Sequence, residues 1–500
     1  MKNHNSTNGG IKILIFSKKL KYKNMSKITK DFIVITGIIG VACTGIDKEY
    51  EKPNILLVTI DDLGWADVGI NGADLHETPN IDMLARQGIN FTNAYAASPV
   101  SSPTRASIQT GKYPARLHMT IWTEASKGQR SNPDFYPLVT ERNLPQSETT
   151  IAEVLKQNGY VTIHIGKWHI GDAEHYPQTQ GYEFVSACTP WGAPATHYYP
   201  YSGPWDSTIR YIDGFIFPNN IFGNHKGEFL ADRMTEEAIL MMKEVKKTGK
   251  PFFMNLCYYS VHTPIEADSE KVAYYRKKIY PGMKHCNPTY AAMVGNIDYN
   301  IGRLMRVLDE LKITRSTVFI FLSDNGGYIH HYKGKPVTTN FPLRGGKGSM
   351  YEGGIRIPFI IRMPGTVPSG KSCEIPVSTV DIFPTLIDLC NIPYKNHKTD
   401  GISILPLIKN PAAELKRNAL YWHYPHYYHE YTPVSAIRSG NMKLLRFLED
   451  NRIELYNLKN DPYETINLAA SDTETADSLN HMLSCWLKET KAQLPVKIKK

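Results

Sequence analysis

"NILLVTIDD", residues 54–62, is an apolar run that stops abruptly on two aspartates. A short run of aliphatic and β-branched residues between polar flanks reads as a strand buried on both faces, the sort found in parallel sheets. "VTIHIG" (161–166), "FFMNLCYYS" (252–260), "STVFIFLSD" (316–324) and "IPFIIRMP" (357–364) repeat the pattern. Helical signals fall between them. Pro79 stands near the start of one, with Ile81, Leu84 and Ala85 on a shared face before Gly88 stops it. Others cover 148–157, 381–390 and 290–311, the last with Met293, Ile297, Ile301, Leu304 and Leu308 at helical spacing. Strands alternating with helices predict an α/β fold, a large, mostly parallel mixed sheet sandwiched by helices.

After about residue 413 the texture changes. "ALYWHYPHYY", "VSAIRSG", "MKLLRFLE" and "IELYNL" are short alternating runs, and a helix fills 473–491, predicting a small antiparallel sheet with a C-terminal helix. The expected division is a leader over 1–42, an α/β domain over 43–413 and an α+β subdomain over 414–500.

Hydrophobic residues at 42% and charged residues at 21% exclude a disordered or collagen-like chain. The net charge of +9 is misleading, because residues 1–42 hold eight lysines and one acid, leaving +2 for the rest. With no basic run interleaved with aromatics, nothing points to nucleic acid. "MSKITKDFIVITGIIGVACTG" begins at Met25, a possible true start, and has Lys27 and Lys30 ahead of an apolar stretch. It reads as a secretory signal, too short to span a membrane as a mature helix. Cys43 after Val41-Ala42 is a candidate lipidation site, so the chain is expected to be exported, to a bacterial periplasm or as an outer-membrane-anchored lipoprotein. The other six cysteines are scattered without CxxC spacing, which leaves room for one or two disulfides and no cysteine zinc site.

In doubly wound sheets the ligand sits beyond the carboxyl ends of the strands. The expected strands end in Asp61-Asp62, Gly166-Lys167-Trp168-His169, Val261-His262-Thr263-Pro264 and Ser323-Asp324-Asn325-Gly326-Gly327. Asp61, Asp62, Asp324 and Asn325 offer only oxygen ligands, which favour Ca²⁺, and next Mg²⁺, over zinc. Lys167 and Lys347 can pair with an oxyanion, and His169 and His262 can move protons near neutral pH. "PVSSPTRASIQTGKYPAR" (99–116) reads as a polar loop turned by Pro103 between Ser101 and Arg105, or as a nucleophile beside its own cation.

Ser101-Ser102-Pro103-Thr104-Arg105 followed by Thr110-Gly111 resembles the signature of type I sulfatases, of the alkaline phosphatase superfamily. Asp61-Asp62, Gly166-Lys167-Trp168-His169, His262-Thr263-Pro264, Asp324-Asn325-Gly326 and the Gly-Gly-Lys347 segment are similar to that family's other motifs, in its order, over about 53–470. The resemblance implies an alkaline-phosphatase-like fold and a serine-type, bacterial enzyme. A sulfatase-maturing enzyme would oxidise Ser101 to formylglycine (3-oxoalanine) before or during export. It also implies metal ligation by Asp61, Asp62, residue 101, Asp324 and Asn325. One hydroxyl of the hydrated aldehyde would attack sulfur, with Lys167 and Lys347 on the sulfuryl oxygens. His262 would protonate the leaving oxygen, His169 would deprotonate the second hydroxyl to expel sulfate, and Arg105 would steady the hydrate. The implied substrate is a sulfated carbohydrate. Trp191, His197, Tyr198–Tyr201, His330, His423 and His426 are candidate sugar contacts. The alternatives are a phosphatase or phosphonate monoester hydrolase with unmodified Ser101, and a non-catalytic glycan-binding lipoprotein.

Overall fold

The computed structural model of the protein describes residues 52–498 apart from 129–131, 133, 190, 202–224 and 394–397. The expected leader, Met25 and Cys43 lie outside the described residues.

Strand β1 (Asn54–Ile60) runs through the middle of the main sheet. Its side chains alternate between two apolar clusters, Ile55 and Leu57 in one and Leu56, Val58 and Ile60 in the other, all fully buried. A strand apolar on both faces needs a helix layer on each. The main elements that follow are α1 (Pro79–Arg86), β2 (Ile89–Phe91), α2 (Ser101–Thr110), α3 (Ile151–Gln157), β3 (Val161–Gly166), β4 (Phe184–Ser186) and α4 (Leu230–Thr248). Then come β5 (Phe252–Cys257), α5 (Pro288–Glu310), β6 (Thr317–Ser323), β7 (Phe359–Arg362), β8 (Lys371–Cys373) and α6 (Ile382–Leu389). Helices α1, α4 and α5 cover one face through Leu84, Met234, Met242, Ile297 and Leu304. The other face is covered by α2, α3 and α6 through Ile108, Leu155 and Leu386. The mostly parallel, helix-sandwiched sheet is as the alternation predicts.

Strand order is β8-β2-β7-β6-β1-β5-β3-β4, and β7 alone runs against the rest. Register fixes where the strands end. Ile60 pairs with Ser323, Thr59 with Cys257, and Cys257 with Gly166. The chain therefore leaves β1, β6, β5 and β3 at one level, and whatever follows these four strands converges.

Two readings change. Residues 101–110 form a helix, every residue of it buried, with Pro103 in its first turn, rather than a loop turned at Pro103. Helix starts tolerate proline because the missing N–H has no partner there anyway. All six described cysteines (Cys188, Cys257, Cys286, Cys373, Cys390 and Cys485) are free, so no disulfide forms among the described residues.

Strands β9 (Leu420–Tyr424), β10 (Val434–Ser439), β11 (Met442–Phe447) and β12 (Ile453–Asn457) make an antiparallel sheet, followed by α7 (Thr473–Glu489). One face presents Trp422, Ala436 and Leu445 to Tyr95, Val100 and Ile355 of the main unit. The opposite face presents Ile437, Leu444 and Leu455 to Leu483 and Trp486 of α7. A fully buried Lys443 ties the two parts, its Nζ 3.0 Å from Glu352 Oε1 and 2.9 Å from Glu464 Oε1. No described helix is long and apolar enough to cross a membrane.

Candidate active site

Asp61 and Asp62 leave β1 beside Asp324 and Asn325 leaving β6, and Asp62 adopts φ +59°. Gly166 ends β3 with φ +99°, and a Cβ there would lie 2.1 Å from the Cys257 carbonyl oxygen. Only glycine lets the chain pass that close to β5 and turn Lys167 inward. Ser101 opens α2, 3% exposed, beneath the same strand ends.

Three of these groups meet at the Ser101 hydroxyl. It donates toward Asp61 Oδ1 at 3.2 Å and Asn325 Oδ1 at 3.3 Å, and accepts from Lys167 Nζ at 3.2 Å. Lys167 also grips both Asp61 oxygens at 2.9 and 2.8 Å. Arg105, one helical turn after Ser101, donates through Nε and Nη2 to Asp324 Oδ2 at 2.9 and 2.7 Å, and through Nη1 to the Lys167 carbonyl at 3.0 Å. Lys347 Nζ reaches Asp62 Oδ2 at 2.9 Å, and Asn325 Nδ2 reaches Asp62 Oδ1 at 2.7 Å. A Cβ on Gly326 would fall 1.9 Å from the Gly353 carbonyl oxygen, so glycine lets the Lys347-bearing segment close over β6.

The charges are crowded. Burial pushes the Asp61 carboxyl up to about 8; Lys167 opposes the shift, and the Asp324 and Asp62 carboxylates reinforce it. Burial likewise lowers Lys167. Burial also works against ionised Asp62 and Asp324, but Lys347 for the former and Arg105 for the latter outweigh it and hold both below the usual carboxylate range. Carboxylate oxygens of Asp61, Asp62 and Asp324 lie within 4.8 Å of one another, all three residues at most 2% exposed. Three buried carboxylates with the Asn325 amide beside them fit a hard divalent cation, which would relieve that crowding.

Two histidines flank this centre. His262 Nδ1 lies 2.9 Å from the Thr263 carbonyl, which fixes the proton there and turns Nε2 toward Asp62 Oδ2, 3.6 Å away. His169 Nε2 lies 2.8 Å from Glu124 Oε2, while its Nδ1 is buried and without a partner. Glu124 also accepts the Gly192 N–H at 3.3 Å, and a Cβ on Gly192 would touch the His169 ring at 2.4 Å.

The tentative sugar contacts separate. Half-buried Trp191 precedes the glycine that packs on His169. His330 stacks on His429 at 3.9 Å, near Tyr328 and Tyr428, making an aromatic rim beside Lys347. His197 is fully buried under the site, stacked on Phe229 with Nε2 3.2 Å from the His262 carbonyl, and supports rather than faces a ligand. Tyr201 is 1% exposed and packs in the main core, whereas Tyr199 reaches the surface. His423 points into the C-terminal core, with Nδ1 on Ser435 Oγ at 2.7 Å and Nε2 on the Gln493 carbonyl at 2.8 Å, leaving no ring nitrogen for a sugar. His426 is 7% exposed and bonded to Thr120 Oγ1 at 2.8 Å.

The sulfatase family model matches residues 53–392. The chain belongs to the sulfatase family. A second model, for the C-terminal part of N-sulphoglucosamine sulphohydrolase, matches 346–493. A sulfatase of Formosa agariphila is 30% identical, covering 94% of this chain and 95% of that one. The pig (Sus scrofa) N-acetylgalactosamine-6-sulfatase is 28% identical, covering 88% and 86%. Among solved structures, Ps i-CgsB in complex with k-i-k-neocarrahexaose superposes with TM-score 0.73 at 30% identity, over 87% of this chain and 93% of that chain. Like these relatives, the sulfatase described here is a sulfuric ester hydrolase, with the large mixed sheet and separate antiparallel sheet of the family's solved structures.

Proposed function

We propose that this sulfatase removes O-sulfate groups from carbohydrates, using a formylglycine made from Ser101 beside a calcium ion held by Asp61, Asp62, Asp324 and Asn325. The observation that carries the reading is the meeting of Asp61, Asn325 and Lys167 on one buried hydroxyl, within 3.3 Å. The aromatic rim and the relatives that act on N-acetylgalactosamine-6-sulfate or bind neocarrahexaose support a sugar as the alcohol. The basic, apolar leader supports export to a bacterial periplasm or outer-membrane anchoring through Cys43.

The hydrated formylglycine supplies one hydroxyl to attack sulfur and a second through which sulfate can be expelled. The bound cation supplies charge stabilisation at the attacking oxygen and the sulfuryl group. The chain's own residues do the rest. Lys167 and Lys347, now tied to Asp61 and Asp62, are the two ammonium groups available to an incoming sulfuryl oxygen once those carboxylates are otherwise engaged. Arg105 holds Asp324 in place from the helix that carries residue 101. With one proton held on Nδ1 by the Thr263 carbonyl, His262 acts as the acid only when it takes up a second proton on Nε2. Burial and Lys347 oppose that uptake, and the Asp62 carboxylate 3.6 Å away favours it. The second proton goes to the leaving sugar oxygen. His169 takes a proton at the unpartnered Nδ1, with Glu124 holding the opposite nitrogen and setting the tautomer. The peptide at Gly192 keeps water off that ring.

Mass spectrometry of the Ser101 peptide from the native host, with sulfate release from a panel of singly sulfated monosaccharides, tests the proposal. Oxidation at residue 101, with activity lost to EGTA and restored by Ca²⁺ but not Zn²⁺, is expected. An unmodified serine in a protein that turns over phosphate monoesters faster than sulfates overturns it.

A further inference from the structure

A second group of metal-ligating side chains lies outside the catalytic constellation. Asp67, His76 and His285 are each at most 5% exposed, and one ligand atom from each falls within 4.8 Å of the others. Asp67 Oδ1 lies 3.5 Å from His76 Nδ1 and 3.4 Å from His285 Nε2. A tetrahedral zinc with nitrogen and oxygen ligands at about 2.0–2.1 Å spaces neighbouring ligand atoms about 3.3 Å apart. The observed separations match that edge without movement of the backbone.

The hydrogen bonds around the group point the same way. His285 Nδ1 is bonded to Asp74 Oδ1 at 2.7 Å, and Asp74 is itself held by the backbone N–H groups of Lys284 and His285. A ring N–H donated to a carboxylate turns the lone pair of the other nitrogen inward, the outer-shell pattern seen around metal-bound histidines. That inward nitrogen, His285 Nε2, is buried and makes no close hydrogen bond; it faces Asp67 Oδ1 3.4 Å away. On Asp67, Oδ2 already accepts from the Gly64 N–H and the Tyr290 hydroxyl, both at 2.7 Å, and Oδ1 accepts from Thr338 Oγ1 at 2.5 Å. Oδ1 is thus anchored, with a lone pair left facing the two imidazoles. His76 Nδ1 also lies 3.1 Å from the Asp67 carbonyl, so the neutral ring must carry its proton on Nε2 rather than Nδ1 for Nδ1 to ligate an ion.

We propose that Asp67, His76 and His285 form a second, structural metal site for a zinc-class divalent ion, with Asp74 as the carboxylate that orients His285. Two imidazoles and one carboxylate suit Zn²⁺ and disfavour Ca²⁺, the reverse of the all-oxygen group at the strand ends. The site joins the turn after β1 to the start of α5. Tyr290 of α5 bonds both Asp67 Oδ2 and, at 3.4 Å, the Asp62 carbonyl. An ion there braces the backbone that carries Asp62.

The test uses the full matured protein kept in Ca²⁺, stripped of transition metals with 1,10-phenanthroline and then given either ZnCl₂ or CoCl₂. After desalting, elemental analysis is expected to find about one zinc per chain. The cobalt form should show the intense visible bands of a tetrahedral site. His76→Gln and His285→Gln should each lose at least about tenfold in zinc affinity, and Asp74→Asn should weaken it by about 10- to 100-fold. The wild-type cobalt spectrum decides the matter even where a variant fails to fold. No retained zinc and no visible bands in the wild type, or undiminished zinc in both histidine variants, overturns the proposal.

Discussion

Glu124→Gln tests the half of turnover proposed for His169. Glu124 Oε2 sits 2.8 Å from His169 Nε2, and its charge is the largest influence opposing the burial that lowers the His169 pKa. Glutamine keeps the shape, removes the charge and makes the ring a weaker base. Hydrogen bonds to charged groups contribute about 1.5–3 kcal/mol. The Glu124 side chain is 27% exposed while His169 is 5% exposed, so solvent screens part of the interaction and the lower end applies. About 1.5–2 kcal/mol is about 10- to 30-fold in rate. If His169 serves only sulfate release, the loss falls on kcat, KM drops in parallel, and kcat/KM for an activated aryl sulfate changes little. Stopped-flow measurement should then show a burst of the phenol, in amount close to the enzyme, ahead of a slow steady state. A variant that loses kcat/KM and kcat equally, with no burst, refutes the assignment and makes Glu124 a general support of the site.

Other perturbations reach different parts of the molecule. His262→Ala should slow sugar sulfates by about 10²- to 10⁴-fold, the range of general acid help, and aryl sulfates far less; equal losses on both substrates exclude His262 as the acid. Lys443→Met leaves Glu352 and Glu464 buried without their cation, and a cost of about 3–5 kcal/mol is expected in urea denaturation. Burial pushes the Glu464 carboxyl up to about 7 against the pull of Lys443. A carboxyl that holds its proton more tightly when folded favours the fold below the unfolded value near 4.5 and loses that advantage as pH rises through about 7. Wild type should therefore lose stability relative to Glu464→Gln over that window, by up to about 1.4 kcal/mol per pH unit; a flat difference contradicts the burial argument.

The long strands and the site they carry were legible because a parallel strand covered on both faces must be apolar throughout, so its polar ends stand out. Asp61-Asp62 after β1 and Asp324-Asn325 after β6 are of this kind. Three-residue strands such as β2, β4 and β8 are too short to show a period. Helix α4 did carry one, with Met234, Ala238, Met242 and Val245 buried along a face, yet it was absent from the expected elements. Helix α2 was hidden by composition: "SSPTRASIQT" has few apolar residues, and its burial comes from the partners around it. Glu124 had no local signal, since its value lies in a histidine 45 residues on. Among the aromatics of 420–431, strand alternation sends His423 into the core, while Tyr428 and His429, just past the strand, reach the rim beside His330.

The enclosure of the 101–105 segment sets an order of events. Ser101, Pro103 and Arg105 are all buried, and Arg105 is locked to Asp324, 219 residues away in the chain. An enzyme reading these side chains meets them only while the strand that delivers Asp324 is still unpaired. On the proposed reading, oxidation of Ser101 thus competes with folding itself, and a host that folds this chain quickly but edits it slowly would accumulate well-shaped protein without its proposed nucleophile.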